Sequence, residues 1–215
     1  MRDSGLFFDL DGTLIDSRAD LACAVNLVLA EYKVSPLALS TVVSFVGDGL
    51  RNLARRSFSA LPESEQDRAL ALLRRFYSEH EVDATTLYPG VRDGLAVLRR
   101  AGFVLAVVTN KPEPDSLHIL KTLGIYDNFD EVIGADSGFA IKPSPDSILH
   151  LTAKYRLEPG RCWMLGDNHT DLGAARAAGI SRAYAAWGFG SLKGETFDAE
   201  FAGFGEFAQA MLTDR

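Results

Sequence analysis

Residues 6–14 read LFFDLDGTL. This segment decides the fold, because an apolar run without polar alternation is typical of a strand buried on both faces of a parallel sheet. Asp9 and Asp11 stand at the end of the predicted strand, and Gly12 permits a sharp exit from it. Residues two apart in an extended chain point the same way, so we expect both carboxylates to face one site.

Two carboxylates side by side in apolar surroundings repel each other and are costly to desolvate. They are reasonable if a cation binds between them or if one of them keeps its proton. The alternative is a simple turn, since Asp-Gly is a common hairpin signal. A hairpin needs a second alternating strand, whereas the chain from Ser17 onward has helical periodicity. The pattern therefore favours a functional site.

Four further apolar runs follow the first one, and helical patterns that end at a glycine lie between several of them. The runs cover residues 103–108, 131–134, 161–165 and 182–186. Strands that alternate with helices are typical of an α/β fold. We therefore predict a doubly wound, mostly parallel sheet.

The gap between the first two strands is too long for this scheme. Residues 11–102 separate them, whereas a whole βαβ unit needs only about 30 residues. Apolar residues recur with helical spacing at 21–29, 50–58 and 69–77. These stripes predict an inserted α-helical cap domain at residues 17–85, with the core formed by residues 1–16 and 86–215.

A second acidic cluster follows the fourth core strand. Asp167 and Asp171 lie in GDNHTD, residues 166–171. Such a segment is also a good helix start, because Asn, Thr and Asp cap free N–H groups, and this interpretation stays open beside the functional one. Ligands of open α/β sheets bind beyond the carboxyl ends of the strands. Asp9 and Asp167 are predicted at equivalent strand ends, where hard oxygen ligands suit Mg²⁺.

Three polar residues complete this predicted edge. Thr109 and Asn110 end the second strand, and Lys142 precedes a proline in a loop. Each is ordinary by itself, since a single lysine is usually solvated. Together they supply a hydroxyl, an amide and a cation, the groups that hold a phosphoryl group.

These segments, taken in order, resemble the four motifs of the haloacid dehalogenase superfamily. The motifs are DLDGT (9–13), Thr109, Lys142 with its proline, and GDxxxD (166–171). The insertion point resembles that of the helical C1 cap of this superfamily. Other segments resemble the bacterial phosphoglycolate phosphatase subfamily. They are residues 8–17, 45–50, 88–91 and 187–190.

The resemblance implies a Mg²⁺-dependent phosphatase that acts on a small phosphorylated metabolite, with 2-phosphoglycolate favoured. Asp9 is the implied nucleophile, which forms an aspartyl-phosphate, and Asp11 the acid and base. Thr109, Asn110 and Lys142 would bind the phosphoryl group. The implied Mg²⁺ ligands are Asp9, Asp11 through its backbone carbonyl, Asp167 and Asp171. The alternatives are a pyrophosphatase, a sugar-phosphatase, a phosphomutase, a haloacid dehalogenase, or an inactive homologue that only binds.

One cap segment carries an expectation about specificity. Residues 46–51 contain two glycines between helical stripes, so this loop could approach a ligand closely. Gly49, through its backbone, and Arg51 would then bind a second anionic group of the substrate. The alternative is an ordinary interhelical turn with a solvated Arg51.

Composition excludes several classes of partner. Apolar residues make up 47% and charged residues 24%, which is typical of a globular chain and excludes disorder. Acidic residues outnumber basic ones by 29 to 22, and the net charge of −7 disfavours nucleic acid and membrane partners. The N-terminal residues lack the apolar stretch of a signal peptide. We expect a cytoplasmic monomer or homodimer.

Overall fold

The computed structural model describes residues 3–213, which form eight strands and nine α-helices. The strands are β1 (Gly5–Phe8), β2 (Ile15–Asp16), β3 (Thr86–Leu87), β4 (Val104–Val108), β5 (Glu131–Ile133), β6 (Cys162–Gly166), β7 (Ser181–Ala185) and β8 (Ala199–Phe201). The helices are α1 (Arg18–Glu31), α2 (Leu39–Val43), α3 (Leu50–Ser57), α4 (Gln66–His80), α5 (Val91–Arg100), α6 (Glu113–Thr122), α7 (Asp146–Tyr155), α8 (His169–Ala178) and α9 (Phe204–Thr213).

Six strands form one parallel sheet in the order β5-β4-β1-β6-β7-β8. β1 lies inside the sheet, where Phe7 is aligned with Ala106 on one side and with Met164 on the other. The chain fills the sheet outward in both directions from β1, so the strand order reverses there. Such a switch point opens a crevice at the carboxyl ends of the strands. The predicted doubly wound sheet is confirmed.

The two faces of the sheet carry separate hydrophobic cores, because side chains alternate along a strand. Leu6 and Phe8 pack in a core with α5, α6 and α9. Phe7 packs on the opposite face with α7 and α8. Layers of helix on both faces explain why β1 is buried over all of its residues. Within residues 3–213, no helix combines the length and the hydrophobicity needed to cross a bilayer.

A third hydrophobic core belongs to helices α1–α4 alone. Its buried residues all come from positions 21–77 and include Val28, Phe58 and Leu73. An inserted helical cap domain is therefore present. The exact division at residues 17–85 stays a prediction, although α1 begins at Arg18 and β3 at Thr86, close to those limits.

Several elements have no counterpart in the sequence-based prediction, β8 and α2 among them. β8 is an edge strand whose middle residue, Glu200, is exposed, so it has no apolar run to identify it. α2 is only five residues long, and only Val42 of it is buried, which is too little to make a stripe. Both elements exist because neighbours in the tertiary structure supply their pairing or packing.

The cap joins the core through a two-stranded antiparallel ribbon, β2 with β3. Next to this ribbon, Asp20 is 3% exposed. It forms hydrogen bonds with the segment in which the chain returns from the cap to the core. Its carboxylate accepts hydrogen bonds from the backbone N–H of Ala84 (3.0 Å), the N–H of Thr85 (2.8 Å) and the Thr85 hydroxyl (2.7 Å). Asp20 therefore ties together the two chain segments that connect cap and core.

We predict that Asp20→Ala lowers the free energy of unfolding by about 2–4 kcal/mol, because it leaves three donors without their charged acceptor. Asp67→Ala is the matched control, since Asp67 also lies in a first helical turn but is exposed. For Asp67→Ala, the loss in free energy of unfolding should stay below about 1 kcal/mol, the size of a helix-dipole effect. Urea unfolding measures both values, and equal losses would contradict a structural role for Asp20.

Candidate active site

Three adjacent strands deliver the predicted polar residues to one cavity. Asp9 follows β1, Thr109 follows β4 and Asp167 follows β6, and these strands are neighbours in the sheet. All three residues line a cavity between the core and the cap. Lys142, from the loop between β5 and α7, lines it as well. The structure thus brings together the residues that the sequence places far apart.

Lys142 is the cation at the centre of the cavity floor. Its side chain is 3% exposed, and Nζ lies 2.8 Å from Asp9 Oδ1 and 2.6 Å from Asp171 Oδ1. Nζ also donates a hydrogen bond of 2.6 Å to the carbonyl oxygen of Val108. Burial alone would lower the pKa of Lys142, but the two carboxylates give a net rise. Lys142 is therefore a permanent cation that holds one oxygen of Asp9.

Asp9, Asp167 and Asp171 each place one carboxylate oxygen within 4.8 Å of the others. Burial, with Asp171 close by, raises the pKa of Asp9 to about 6 against the partial compensation by Lys142. Burial and the neighbouring Asp171 and Asp9 also raise the pKa of Asp167 well above its ordinary value. Carboxylates that oppose each other in this way offer a favourable site to a divalent cation. The oxygen donor set fits Mg²⁺.

Asp167 keeps one oxygen free to act as a ligand. Its Oδ2 accepts hydrogen bonds from the backbone N–H groups of Phe189 (2.9 Å) and Gly190 (2.7 Å). No hydrogen bond from residues 3–213 reaches Oδ1. Gly12 is required beside it, because its φ is +87° and a Cβ there would lie 2.0 Å from Asp167 Oδ2. The predicted sharp exit at Gly12 thus also makes room for the Asp167 carboxylate.

Asp11 is held by groups that sequence reasoning did not identify. Lys111 Nζ lies 2.9 Å from Asp11 Oδ2 and 3.1 Å from Oδ1, and the Ser17 hydroxyl donates to Oδ1. Lys111 also donates a hydrogen bond of 2.6 Å to the hydroxyl of Tyr77 in cap helix α4. Asp11 is thereby fixed at the junction of core and cap.

Thr109 and Asn110 lie where they were predicted, at the end of β4. Thr109 is 5% exposed and lines the cavity. The Asn110 side chain accepts a hydrogen bond from the Lys142 N–H (2.9 Å) and donates one to the Lys142 carbonyl (3.1 Å). Its amide therefore positions the Lys142 backbone, and direct contact of Asn110 with a substrate stays a prediction.

The helix-start interpretation of residues 166–171 is confirmed, whereas the metal-site interpretation stays a prediction. Asn168 is the N-cap of α8, where its side chain accepts a hydrogen bond from the Thr170 N–H, and Asp171 Oδ2 accepts one from the Asn168 N–H. The other oxygen of Asp171 faces Lys142. Helix capping thus aims the carboxylates of the cluster.

The cap loop, residues 46–49, covers the cavity from above. Gly47 and Gly49 line it, and Asp48 pairs with Lys193 of the core at 3.2 Å. Gly47 has φ of +112°, and a Cβ there would lie 2.1 Å from Asn168 Nδ2. The close approach predicted for this loop is thus present. Arg51 lies differently from the expectation, because it is exposed on α3 and does not belong to the cavity wall.

Comparison with known proteins agrees with this geometry. Residues 6–185 match the family model described as haloacid dehalogenase-like hydrolase. The chain belongs to the haloacid dehalogenase-like hydrolases. It is an enzyme of this family, with the motif residues arranged around one cavity.

Several family members are similar over most of their length. The chain is 40% identical over 179 residues to a phosphoglycolate phosphatase of Nitrosospira multiformis, covering 81% of this chain and 79% of the relative. It is 38% identical over 187 residues to a phosphoglycolate phosphatase of Chromobacterium violaceum, with coverage of 85% and 84%.

Two solved structures share the fold over nearly the whole chain. The crystal structure of a predicted phosphoglycolate phosphatase from Haemophilus somnus superposes with a TM-score of 0.91 at 29% identity, covering 98% of both chains. A haloacid dehalogenase-like family hydrolase from Streptococcus pneumoniae gives 0.84 at 26% identity, covering 99% of this chain and 98% of the other.

Several residues at this hydrolase site escaped the sequence-based prediction, among them Ser17, Lys111, Tyr77 and Asp48. Lys111 directly follows Thr109 and Asn110. This position near the end of a strand could have indicated that Lys111 belongs to the site. Tyr77 belongs to the apolar stripe of α4, which predicts only a core residue. Asp48 lies between the glycines of the cap loop, where nothing in the sequence indicates its partner.

We predict that Gly47→Ala lowers kcat/KM by more than about tenfold. The added Cβ would push the loop of the cap domain away from Asn168 at the N-terminus of α8. Asn168 cannot yield easily, since it is 4% exposed and caps the helix. Gly138→Ala is the matched control, because Gly138 has φ of +88° but open space around its Cβ. Both variants carry the strain of a positive φ, about 1 kcal/mol.

Steady-state kinetics and thermal unfolding of both variants separate the two effects. Similar stability losses with an activity loss in Gly47→Ala alone are expected. Equal activity in the two variants would show that the cap loop need not touch Asn168 for catalysis.

Proposed function

We propose that this hydrolase cleaves small phosphate monoesters, 2-phosphoglycolate first, through an aspartyl-phosphate on Asp9. One observation carries the proposal: a nucleophilic carboxylate, a second carboxylate two residues on and a buried lysine meet in one cavity with an acidic cation site. The relatives named as phosphoglycolate phosphatases support the choice of substrate.

In the first step, the two carboxylate oxygens of Asp9 have different roles. Lys142 holds Oδ1, whereas no hydrogen bond from residues 3–213 reaches Oδ2, so Oδ2 is the oxygen free to attack phosphorus. The bond from phosphorus to the ester oxygen breaks as the new bond to Oδ2 forms. Asp11 gives its proton to the departing oxygen, which leaves as an alcohol. Thr109 and Lys142 bind the phosphoryl oxygens and offset their charge.

The second step reverses the role of Asp11. A water molecule attacks the phosphorus of the aspartyl-phosphate, and Asp11 takes one of its protons. The bond to Asp9 breaks, so phosphate leaves and the carboxylate is restored. The cap loop and Tyr77 close the cavity above, which limits the water that reaches the intermediate.

Mg²⁺ is the proposed cofactor, held by Asp9, Asp167, Asp171 and the backbone carbonyl of Asp11. When bound, it supplies positive charge that lets an anionic nucleophile approach an anionic phosphate. The opposed carboxylates of the cluster support this assignment, because burial and then mutual repulsion raise the pKa values of Asp9 and Asp167, and a bound cation would relieve that repulsion.

Asp11 also separates this proposal from haloacid dehalogenation. Displacement of a halide needs no acid for the leaving group, whereas an alkoxide must be protonated. The fixation of Asp11 by Lys111 and Ser17 at the cavity supports phosphoryl transfer. A cytoplasmic location and a monomeric or homodimeric state belong to the same proposal.

We predict that Asp9→Asn lowers kcat by about a thousandfold or more on 2-phosphoglycolate and on an aryl phosphate, because the amide cannot attack phosphorus. The fold should not suffer. The pKa of Asp9 is raised to about 6, so the ionised side chain costs stability that increases as pH rises through this value. Asp9→Asn should therefore be at least as stable as the wild type at pH 8.

Asp93→Asn is the control, since Asp93 is an exposed carboxylate of α5. Turnover and thermal unfolding at pH 8 are measured for both variants. A turnover of Asp9→Asn within tenfold of the wild type would overturn the role of Asp9 as nucleophile.

The cofactor is tested by a second prediction. Chelator should abolish activity, Mg²⁺ should restore it, and Ca²⁺ should inhibit because it prefers looser, higher coordination. At Mg²⁺ about 100 times Kd, binding should add ~2.7 kcal/mol of stability. This corresponds to a rise in Tm of roughly 5–10 °C for a chain of this size.

Asp167→Asn should lose this rise in Tm, whereas the exposed Asp127→Asn should keep it. The shift in Tm reports binding without relying on turnover. Full activity after exhaustive removal of metal, or an equal shift in both variants, would contradict the proposed site.

A further inference from the structure

The substrate cavity is lined by two cationic side chains in the part of the chain that the structure describes, Lys142 and Lys111. Lys142 is already assigned to the phosphoryl group, because its ammonium group contacts Asp9, the proposed nucleophile, and Asp171. It serves the nucleophile and the phosphoryl group. Lys111 has no part in the two steps above beyond its contact with Asp11, so its buried charge calls for a function.

Lys111 is a cation at the boundary between core and cap. Its side chain is 5% exposed, and Nζ lies 4.4 Å from the centre of the Tyr77 ring. Burial alone would lower the pKa of Lys111, but the Asp11 carboxylate and the Tyr77 hydroxyl give a net rise. Burying such a charge is expensive unless it has partners.

The position of Asp11 places Lys111 on the leaving-group side of the cavity. Asp11 protonates the ester oxygen, so the carbon attached to that oxygen must lie beside Asp11. Lys111 Nζ is 2.9 Å from the same carboxylate and lines the cavity, so it lies on the side where this mechanism places the substituents of that carbon. In 2-phosphoglycolate the carboxylate is attached to this very carbon, which brings it within reach of Nζ.

The ammonium group can accept a further anion. It has three N–H donors, and its contacts go to Tyr77 and to both oxygens of Asp11. One bond to Asp11 suffices to hold that carboxylate, which releases a donor for the substrate. Nearby Glu81 does not compete strongly, because burial, with Asp115 close by, raises its pKa to about 8.

Much of the rest of the cavity wall is apolar. Leu21, Leu50 and Leu53 of the cap and Pro112 of the core line it, together with the carboxyl group of Asp115, whose pKa is raised by burial. Arg51, the residue expected to bind a second anion, is exposed and outside the wall. A largely apolar wall favours the pairing of Lys111 with a substrate carboxylate, since a low dielectric strengthens the pair.

We infer that Lys111 selects substrates that carry a carboxylate beside the phosphate ester, by binding this carboxylate through Nζ, while Tyr77 of the cap holds the ammonium group in place. The inference rests on the proposed phosphatase function and names its specificity-determining residue. Recognition then needs both domains, because the cation comes from the core and its hydroxyl partner from the cap.

Two substrates of equal length test this role. 2-Phosphoglycolate and ethyl phosphate share the phosphate ester and two carbons and differ in the carboxylate. Lys111→Gln should lower the ratio of their kcat/KM values by about 10- to 100-fold, the range for one charge-assisted hydrogen bond. The change in this ratio should come from KM for 2-phosphoglycolate, whereas any loss in kcat through Asp11 is shared by both substrates.

Two other substitutions serve as comparisons. Lys121→Gln removes an exposed lysine of α6 and should leave both substrates unaffected. Arg51→Gln tests the rival anchor and should keep the ratio. If Lys111→Gln does not fold, Tyr77→Phe keeps the ring but removes the acceptor, and a fall in the ratio of about three- to tenfold is expected.

The outcomes separate this inference from the proposed function. A wild-type enzyme that hydrolyses both esters equally well would overturn 2-phosphoglycolate as substrate. A wild-type preference that survives in Lys111→Gln, or in Tyr77→Phe where that variant replaces it, would overturn the role of Lys111 alone. A preference lost only in Arg51→Gln would transfer the role to the cap helix.

Discussion

The contact of one buried ammonium group with two carboxylates is the interaction on which the site depends. Asp9, Asp167 and Asp171 are forced together by the edge of a parallel sheet, and water is largely excluded from them. Without Lys142 their repulsion would be uncompensated, and an unpaired buried charge costs several kcal/mol. Lys142 can reach them because Asn110 fixes its backbone from the neighbouring strand. The chemistry thus requires that β1, β4 and β6 be adjacent.

The same constraint explains why cap and core share the work. The core carries Asp9 and Asp167 at strand ends, Lys142 in the loop before α7 and Asp171 in the first turn of α8, on elements that pack against one sheet. The cap has its own hydrophobic core and is attached through a short ribbon and the Asp20 carboxylate. Close approach at Gly47 and the hydrogen bond from Lys111 to Tyr77 then place cap atoms beside Asn168 and Lys111 at the cavity. With this arrangement, cap residues can recognise the part of the substrate beyond the phosphate without changing the pocket that binds the phosphoryl group.

The distribution of charge in the cavity explains the proposed role of Lys111. Lys142 pairs with Asp9 and Lys111 pairs with Asp11, so the proposed mechanism places them on the attacking and leaving-group sides of the phosphorus. A substrate that carries one anion at each end would match this pair of cations. The apolar surface from the cap strengthens both interactions, because it lowers the local dielectric.

The sequence by itself determined the fold class, the presence of a helical cap and the residues at three strand ends, because these follow from local patterns. Buried parallel strands are apolar runs, cap helices are periodic stripes, and Asp9, Thr109 and Asp167 directly follow such runs. The tertiary structure alone decided β8, the exposed place of Arg51, and the contact of Lys111 with Asp11 and Tyr77. Asp11 lies 100 residues and Tyr77 lies 34 residues from Lys111 along the chain. Periodicity reports that a residue such as Tyr77 is buried, but the partner of its hydroxyl depends on how two separately formed cores meet.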